Sequence, residues 1–261
     1  MILIRGAGDI ASGIAVRLFR CGFTLAITDL AKPTSIRRTV CFSEAVLHGA
    51  CTVEDITAER AASRAEAEAV WQRSHIPVFA DDAGTVLSLL SPEAVVDARL
   101  AKVNLDTTMS DAPIVVAVGP GFTAGRDCHA VVETQRGHYL GRAIYAGAAA
   151  PNTGVPGNIG GYTVERIIRV PKAGVFRPIR AIGDRVAPDE IVAYVDEAPV
   201  RCLIGGTLRG ILPEGTVVHA GMKSGDVDPR CQPDHCRCAS DKALSVGGGV
   251  LEALLHFGYR E

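Results

Sequence analysis

The stretch from Ile2 to Asp29 constrains the fold most. Ile2 to Ile4 is a short apolar run, Gly6-Ala-Gly8-Asp9-Ile10-Ala11 follows at once, and Ile10, Ile14 and Leu18, with Ala15 and Cys21, then recur at helical spacing. Gly22 is placed to end that helix, and Leu25-Ala-Ile-Thr-Asp29 reads as a second strand closing on an acid. A strand, a G-x-G-x-x-A turn, a helix, a strand and a carboxylate, in that order, predict the opening of a Rossmann-like parallel sheet. Gly6 permits the tight turn, Gly8 lets backbone amides approach a pyrophosphate at the helix N-terminus, and Asp29 accepts from a ribose hydroxyl. The competing reading is that both glycines serve only close strand–helix packing. Asp9 either stands where a phosphate would approach or caps the helix. Arg37 and Arg38, past Pro33, are either phosphate contacts (a ribose 2′-phosphate included) or a solvated basic pair. Gly6, Gly8, Asp9, Asp29, Arg37 and Arg38 are therefore the cofactor-binding candidates, for NAD(P) or another nucleotide.

Further along, Ile76–Ala80, Ala94–Ala98 and Pro113–Val118 are apolar runs suited to strands buried on both faces. Ala58 to His75 reads as a surface helix with Trp71 as a core anchor. Arg99, Lys102 and Asn104 follow a strand at its carboxyl end, the edge that ligands favour in open α/β sheets. Across the 261 residues, 29 acids against 27 bases leave a formal charge of −2, which argues against a nucleic-acid partner. No apolar run approaches the roughly 20 residues of a membrane helix, and the start lacks the pattern of a secretory signal. A cytoplasmic protein is expected, its eight cysteines unpaired.

The loop from Gly119 to His129 is the most chemically suggestive segment. Cys128 and His129 are adjacent, so on an extended backbone they face opposite ways and make a poor dyad with each other; His138 is an alternative partner. Arg126 would lower the Cys128 thiol pKa. Cys128 is thus either a reactive thiolate, with Arg126 and His129 as its assistants, or a small buried apolar residue.

From residue 151 the pattern changes. Asn152-Thr-Gly154-Val-Pro156-Gly157 is a glycine-rich connector or an amide-lined anion loop, and short glycine-punctuated strands follow from Ile182. These resemble the barrel-sandwich arrangement of biotinyl and lipoyl modules, but Val195-Asp-Glu-Ala-Pro199-Val200 lacks the lysine that such carriers modify. The expectation is an α/β protein with a Rossmann-like domain over 1–150 and a β-rich, barrel-sandwich module with a C-terminal helix over 151–261. In the latter, Asp226 and Asp228 share a face, for Mg²⁺, an ion pair with a lysine or a plain turn. Cys231, His235, Cys236 and Cys238 fall close together and invite zinc, yet structural zinc sites combine two separated ligand pairs, so no metal is assigned. Cys236 is then a second redox or carrier thiol, or simply structural. Asp241 and Lys242 precede Gly247-Gly-Gly249, a run that opens a final helix or holds an anion at its start.

Taken together, Arg5-Gly-Ala-Gly8-Asp9, Ile36-Arg37-Arg38-Thr39, Gly121 to Thr134, Asn152 to Gly157, Gly225-Asp226-Val-Asp228-Pro229-Arg230 and Cys236-Arg-Cys-Ala-Ser240-Asp241-Lys242-Ala243 resemble the YqeB family, accessory proteins of the selenium-dependent molybdenum hydroxylase system. The resemblance spans nearly the whole chain. It implies a role in maturing a molybdenum hydroxylase, with that enzyme or its molybdenum cofactor as partner, by placing selenium or sulfur on the cofactor. In that family the cysteine ahead of Ser-Asp-Lys corresponds to Cys236. The leading expectation has Cys128 carrying the chalcogen, Arg126 favouring the anion, and His129 or His138 moving protons. The loops at Gly6–Gly8 and Asn152–Gly157 would hold a small anionic ligand. The rivals are an NAD(P)-dependent oxidoreductase and a non-catalytic chaperone that binds cofactor and partner.

Overall fold

The computed structural model describes residues 1–260. Strands β1 (Ile2–Arg5), β2 (Leu25–Asp29), β3 (Ala50–Val53), β4 (Ile56–Arg60), β5 (Ile76–Ala80), β6 (Ala94–Asp97) and β7 (Ile114–Val118) belong to one sheet. A small pair, β8 (Thr123–Ala124) with β11 (Gly147–Ala148), flanks β9 (Ala130–Val132) and β10 (Ala143–Ile144), which complete the large sheet. The order is β10-β9-β7-β6-β1-β2-β5-β4-β3, and every pair from β9 across to β4 is parallel. The chain moves outward from β1 to β2 and β5, then returns to lay β6 on the other side of β1, so the order reverses at β1. All of β7, and all of β1 but the tip of Arg5, are buried apolar chain, as strands covered on both faces require.

The helices are α1 (Asp9–Arg20), α2 (Glu44–His48), α3 (Arg64–Gln72), α4 (Val86–Leu90) and α5 (Asp241–His256). The expected helix over Ala58 to His75 starts late. Residues 58–60 belong to β4, because pairing Ala58 with Ile76 buries it in the sheet. The helix begins only where the Ser63 side chain accepts from the Glu66 amide. Trp71 packs at the edge of the sheet core and donates its ring N–H to the Leu25 carbonyl, 2.7 Å.

The chain forms two compact units, and the division differs from a single break at 150/151. The first unit contains 1–33, 41–153 and 239–261; the second contains 34–40 and 154–238. The C-terminal helix belongs to the first unit because α5 packs along α1 through small residues. A Cβ on Gly13 would lie 2.4 Å from the Ala243 Cβ, and one on Gly247 would lie 3.2 Å from the Gly13 carbonyl oxygen. The glycine run is therefore helix interior, not helix entry. Gly249 sits against the Gly141 carbonyl so closely that no side chain fits.

The second unit has strands β12 (Ile167–Arg169), β13 (Gly174–Pro178), β14 (Arg185–Val186), β15 (Ile191–Val195), β16 (Ala198–Arg201), β17 (Gly206–Ile211), β18 (Val217–Val218) and β19 (Lys223–Asp228). They form two four-stranded antiparallel sheets, β12-β19-β17-β14 and β16-β15-β13-β18. Ile168, Phe176, Val192, Val195, Leu208 and Val227 come from both sheets and share one apolar core. The segment 34–40 joins this unit because the Ile36 carbonyl accepts from the Ile211 amide, 2.8 Å, over Gly210, where a Cβ would meet that same carbonyl. Among the described residues no helix is long and apolar enough to cross a membrane.

Candidate functional site

The glycine turn lies at the carboxyl end of β1, where the strand order reverses. Gly6 adopts φ +101°, open to glycine without strain, and a Cβ there would stand 2.9 Å from the Ala98 carbonyl oxygen. That glycine therefore serves close packing against the chain leaving β6. Gly8 is the N-cap of α1 and makes no side-chain cap, so no side chain from that position covers the first-turn amides. Asp9 is the first helical residue rather than the cap, a position the helix dipole favours for an acid.

The turn is braced from three sides. The Ala7 amide donates to Asp29 Oδ2, 3.1 Å; its carbonyl accepts from Ser12 Oγ, 3.1 Å, and from the Ser43 amide, 3.1 Å. Asp29 Oδ1 accepts from the Leu30 amide, 2.8 Å. Burial pushes the Asp29 carboxyl up; the Leu30 and Ala7 amides oppose that, and Asp82 adds to it. Ser43 is wholly buried, and its hydroxyl has no hydrogen-bond partner.

Across β1, the end of β6 carries an ionic network. Asp97, buried, accepts from Arg99 and from Thr107 Oγ1, 2.6 Å. Arg5 donates to Thr107 Oγ1 at 2.9 Å and to both Asp106 oxygens at 2.7 Å, and Arg99 reaches Asp106 at 2.6 Å. Asn104 locks Thr107 through its carbonyl and amide. Leu100 and Lys102 are held in left-handed backbone at φ +55° and +67°, conformations that cost non-glycine residues about 1–3 kcal/mol each. Of the three residues expected at this edge, Arg99 and Asn104 are thus committed to holding the loop, and Lys102 is exposed. Arg5, Asp97, Asp106, Thr107, Ser12 and Ser43 were not anticipated. The signal for Asp97 was in the sequence, since it closes an apolar strand just as Asp29 does.

The thiolate expectation fails on environment. Cys128 is 0% exposed among Val115, Ala117, Phe122 and Val131. Burial pushes its thiol up to about 12, and the charges of Asp127 and Asp97 act in the same direction. Arg126 does not offset this, because its exposed guanidinium forms two bonds with Asp127, 3.0 and 2.9 Å. His129 Nδ1 accepts from the Val115 amide, 2.9 Å, and its ring meets Phe257 edge-on. His138 packs edge-on against Tyr139.

In the second unit, Arg37 is buried and donates to the His235 carbonyl, 3.1 Å, while Arg38 Nε donates to the Ile211 carbonyl, 3.0 Å. These bonds make the two arginines structural ties rather than a solvated pair. Asp226 pairs with buried Arg166, and Asp228 takes Arg230 at 2.6 and 2.9 Å, so both carboxylates have protein cations in place of Mg²⁺. Despite the cost of burial, Arg230 and Arg209 hold the Asp228 carboxyl well below the usual range. Cys236 is buried and its thiol is pushed up by that burial, which disfavours a carrier thiolate. Among the described residues no group of three His, Cys, Asp or Glu side chains is arranged to hold a metal ion. Asn152 and Gly154 are exposed, at the passage from one unit to the other. Asp241 takes Arg136 at 2.7 and 2.8 Å, and Ser240 caps α5 by accepting from Ala243, so the helix start above Asp241 and Lys242 carries its own cap.

These features define a mixed α/β protein with a large sheet whose switch point is lined by a glycine turn and a partly buried ionic network. No protein-family model matches the chain. It is 50% identical over 255 residues, 98% of its length, to the uncharacterized protein YqeB of Escherichia coli, which supports the resemblance to the YqeB family. The chain spans 47% of that relative's length. Two solved structures are distant. An aspartoacylase family protein of Mesorhizobium loti is 10% identical at a TM-score of 0.24, covering 56% of this chain and 60% of its own. The ectoine utilization protein EutE (DoeB) of Ruegeria pomeroyi is 10% identical at 0.23, covering 78% and 57%. Likenesses at this level carry no argument.

Proposed function

We propose that this protein is a cytoplasmic accessory factor for maturation of a selenium-dependent molybdenum hydroxylase, and that it works by binding rather than by thiol chemistry. In this reading the first unit is a Rossmann-like sheet that holds a nucleotide-type anion at its carboxyl edge, and the second is a barrel-sandwich module that docks the partner. The family resemblance supports the maturation role. The observation that carries the ligand reading is the switch point itself: the strand order reverses beside a glycine turn that opens α1 without a side-chain cap. The buried, unpaired Ser43 hydroxyl beside that turn is a second pointer. Such a group costs about 1–3 kcal/mol, which an added acceptor oxygen would recover. The donors fit a phosphate approached by amides, since Arg5 and Arg99 are already paired with carboxylates.

Mass spectrometry of the native protein should find a phosphorylated small molecule bound in the first unit, and ADP should raise Tm. If neither occurs, and Gly8→Asp leaves thermal shifts with every nucleotide unchanged, the ligand reading is wrong. The role without thiol chemistry is tested by Cys128→Ala. The hydroxylase matured with this variant should carry the same selenium and sulfur content as with wild type. A folded variant that delivers none would restore the thiol to the mechanism.

A further inference from the structure

We infer that Arg5 and Arg99 form a binding site for a small monocarboxylate, and that the Asp106 side chain is its resident occupant, displaced when the ligand arrives; this does not rest on the nucleotide reading above. Arg5 ends β1 and Arg99 follows the end of β6, the strand paired with it, so the two guanidinium groups meet at the carboxyl edge of the sheet. Both Asp106 oxygens lie 2.7 Å from Arg5 Nη2, and Oδ1 lies 2.6 Å from Arg99 Nη2, so a planar two-oxygen anion is already gripped there. The burial is uneven. The Arg5 and Arg99 side chains are 11% and 22% exposed, whereas that of Asp106 is 54% exposed. The cations are fixtures of the fold, and the anion between them is the part that faces solvent.

Releasing Asp106 leaves the loop tied. The Asn104 side chain bonds the Thr107 carbonyl and amide at 2.8 and 2.9 Å, and Thr107 Oγ1 donates to Asp97 at 2.6 Å. Arg99 keeps Asp97, and Arg5 keeps Thr107 Oγ1 at 2.9 Å and Asp111 at 3.5 Å. Rotation of one side chain into water therefore opens the site. Charge then selects the ligand. Without Asp106, two arginines face two carboxylates, Asp97 and Asp111, and a monoanion restores the net charge that stands there now. A phosphate, closer to a dianion at neutral pH, adds further negative charge beside those two acids, both of them little exposed to screening water. Burial acts to raise the Asp106 carboxyl, but Arg99 and then Arg5 outweigh it and hold it below the usual range, so the occupant competes as an anion at neutral pH.

The test is thermal unfolding of the full chain in acetate, with chloride exchanged for it at constant ionic strength. Acetate should raise the Tm of wild type and of Asp106→Ala. The variant should reach half of its rise at an acetate concentration at least about tenfold lower, because it has no tethered carboxylate to displace. Inorganic phosphate at neutral pH should give Asp106→Ala a smaller rise than acetate does. Equal half-rise concentrations in the two proteins, or no response in either, would overturn the inference. So would a response by the variant alone, which would make Asp106 a permanent structural partner, and so would phosphate outperforming acetate. Adding Arg99→Gln to Asp106→Ala should abolish the acetate response. Should that double variant fail to fold, Arg5→Lys with Asp106→Ala should raise the half-rise concentration, and an unchanged value would refute the part given to the arginines.

Discussion

Cys128 permits a quantitative test of the distinction between binding and thiol chemistry. With its thiol pushed to about 12, the residue is ionised at pH 7.5 to only ~3 parts in 100,000. An ordinary thiol near ~8.5 is ionised to about one part in ten, so ionisation alone removes ~3,000-fold of the reactive species. A more basic thiolate is also more nucleophilic. With a Brønsted slope of ~0.4–0.5 over ~3.5 pH units, this returns roughly fortyfold. The net expectation is alkylation about a hundredfold slower than for an exposed thiol, before any allowance for the surrounding Val115, Phe122 and Val131 side chains that block the reagent. Iodoacetamide labelling of the folded protein, read per cysteine by peptide mass spectrometry, contains its own reference in the exposed Cys21. The Cys128 rate should keep rising about tenfold per pH unit to about pH 10, with no plateau, provided circular dichroism shows the fold intact. A Cys128 rate within threefold of Cys21, or a plateau below about pH 9, would refute the reasoning.

Other expectations follow from close packing and buried charge. Gly248→Ala, whose Cβ would enter open space within α5, should stabilise the protein by about 1 kcal/mol in thermal or urea unfolding; Gly249→Ala, two ångströms from a carbonyl, should destabilise it by about 1–3 kcal/mol. Asp226→Asn strands the buried Arg166 and should cost about 3 kcal/mol, while millimolar Mg²⁺ leaves the wild-type Tm unchanged; a rise in Tm with Mg²⁺ that Asp226→Asn abolishes would overturn the ion-pair assignment. Glu59 is held down to about 2 by Arg73 and then His75, so its folded pKa lies below its unfolded one and its contribution is lost as pH falls. Acid unfolding of Glu59→Gln should therefore show a shallower loss of stability than wild type between about pH 4.5 and 2.

The parallel sheet was legible because its signals are local and periodic. Ile2–Ile4, Leu25–Ile27 and Val115–Val118 are unbroken apolar runs, and Gly6 and Gly22 mark the turns between elements; such runs are what strands covered on both faces require. Missed features depended on contacts distant in sequence. Nothing near Gly247 to Gly249 announces that α1 will press a glycine of its own, Gly13, against the same helix, so the sequence alone places the run at the opening of the helix. Arg37 and Arg38 looked like a solvated pair or a phosphate site because their carbonyl partners at His235 and Ile211 lie far along the chain.

Cys128 is the instructive case. Cys128-His129-Ala130-Val131-Val132 alternates poorly, so the sequence leaves its side chain open to either face, as a reactive thiolate or as a small buried apolar residue. Its position next to β9 decides the matter. Val131 and Val115 bring the core to the sulfur, while the charges that reach it, Asp127 and Asp97, are of the sign that opposes a thiolate. At Asp29 the same kind of reasoning points the other way. There burial comes with two amide donors, Ala7 and Leu30, which oppose the cost of burying the carboxylate, whereas a thiol is cheap to bury and needs no such partners.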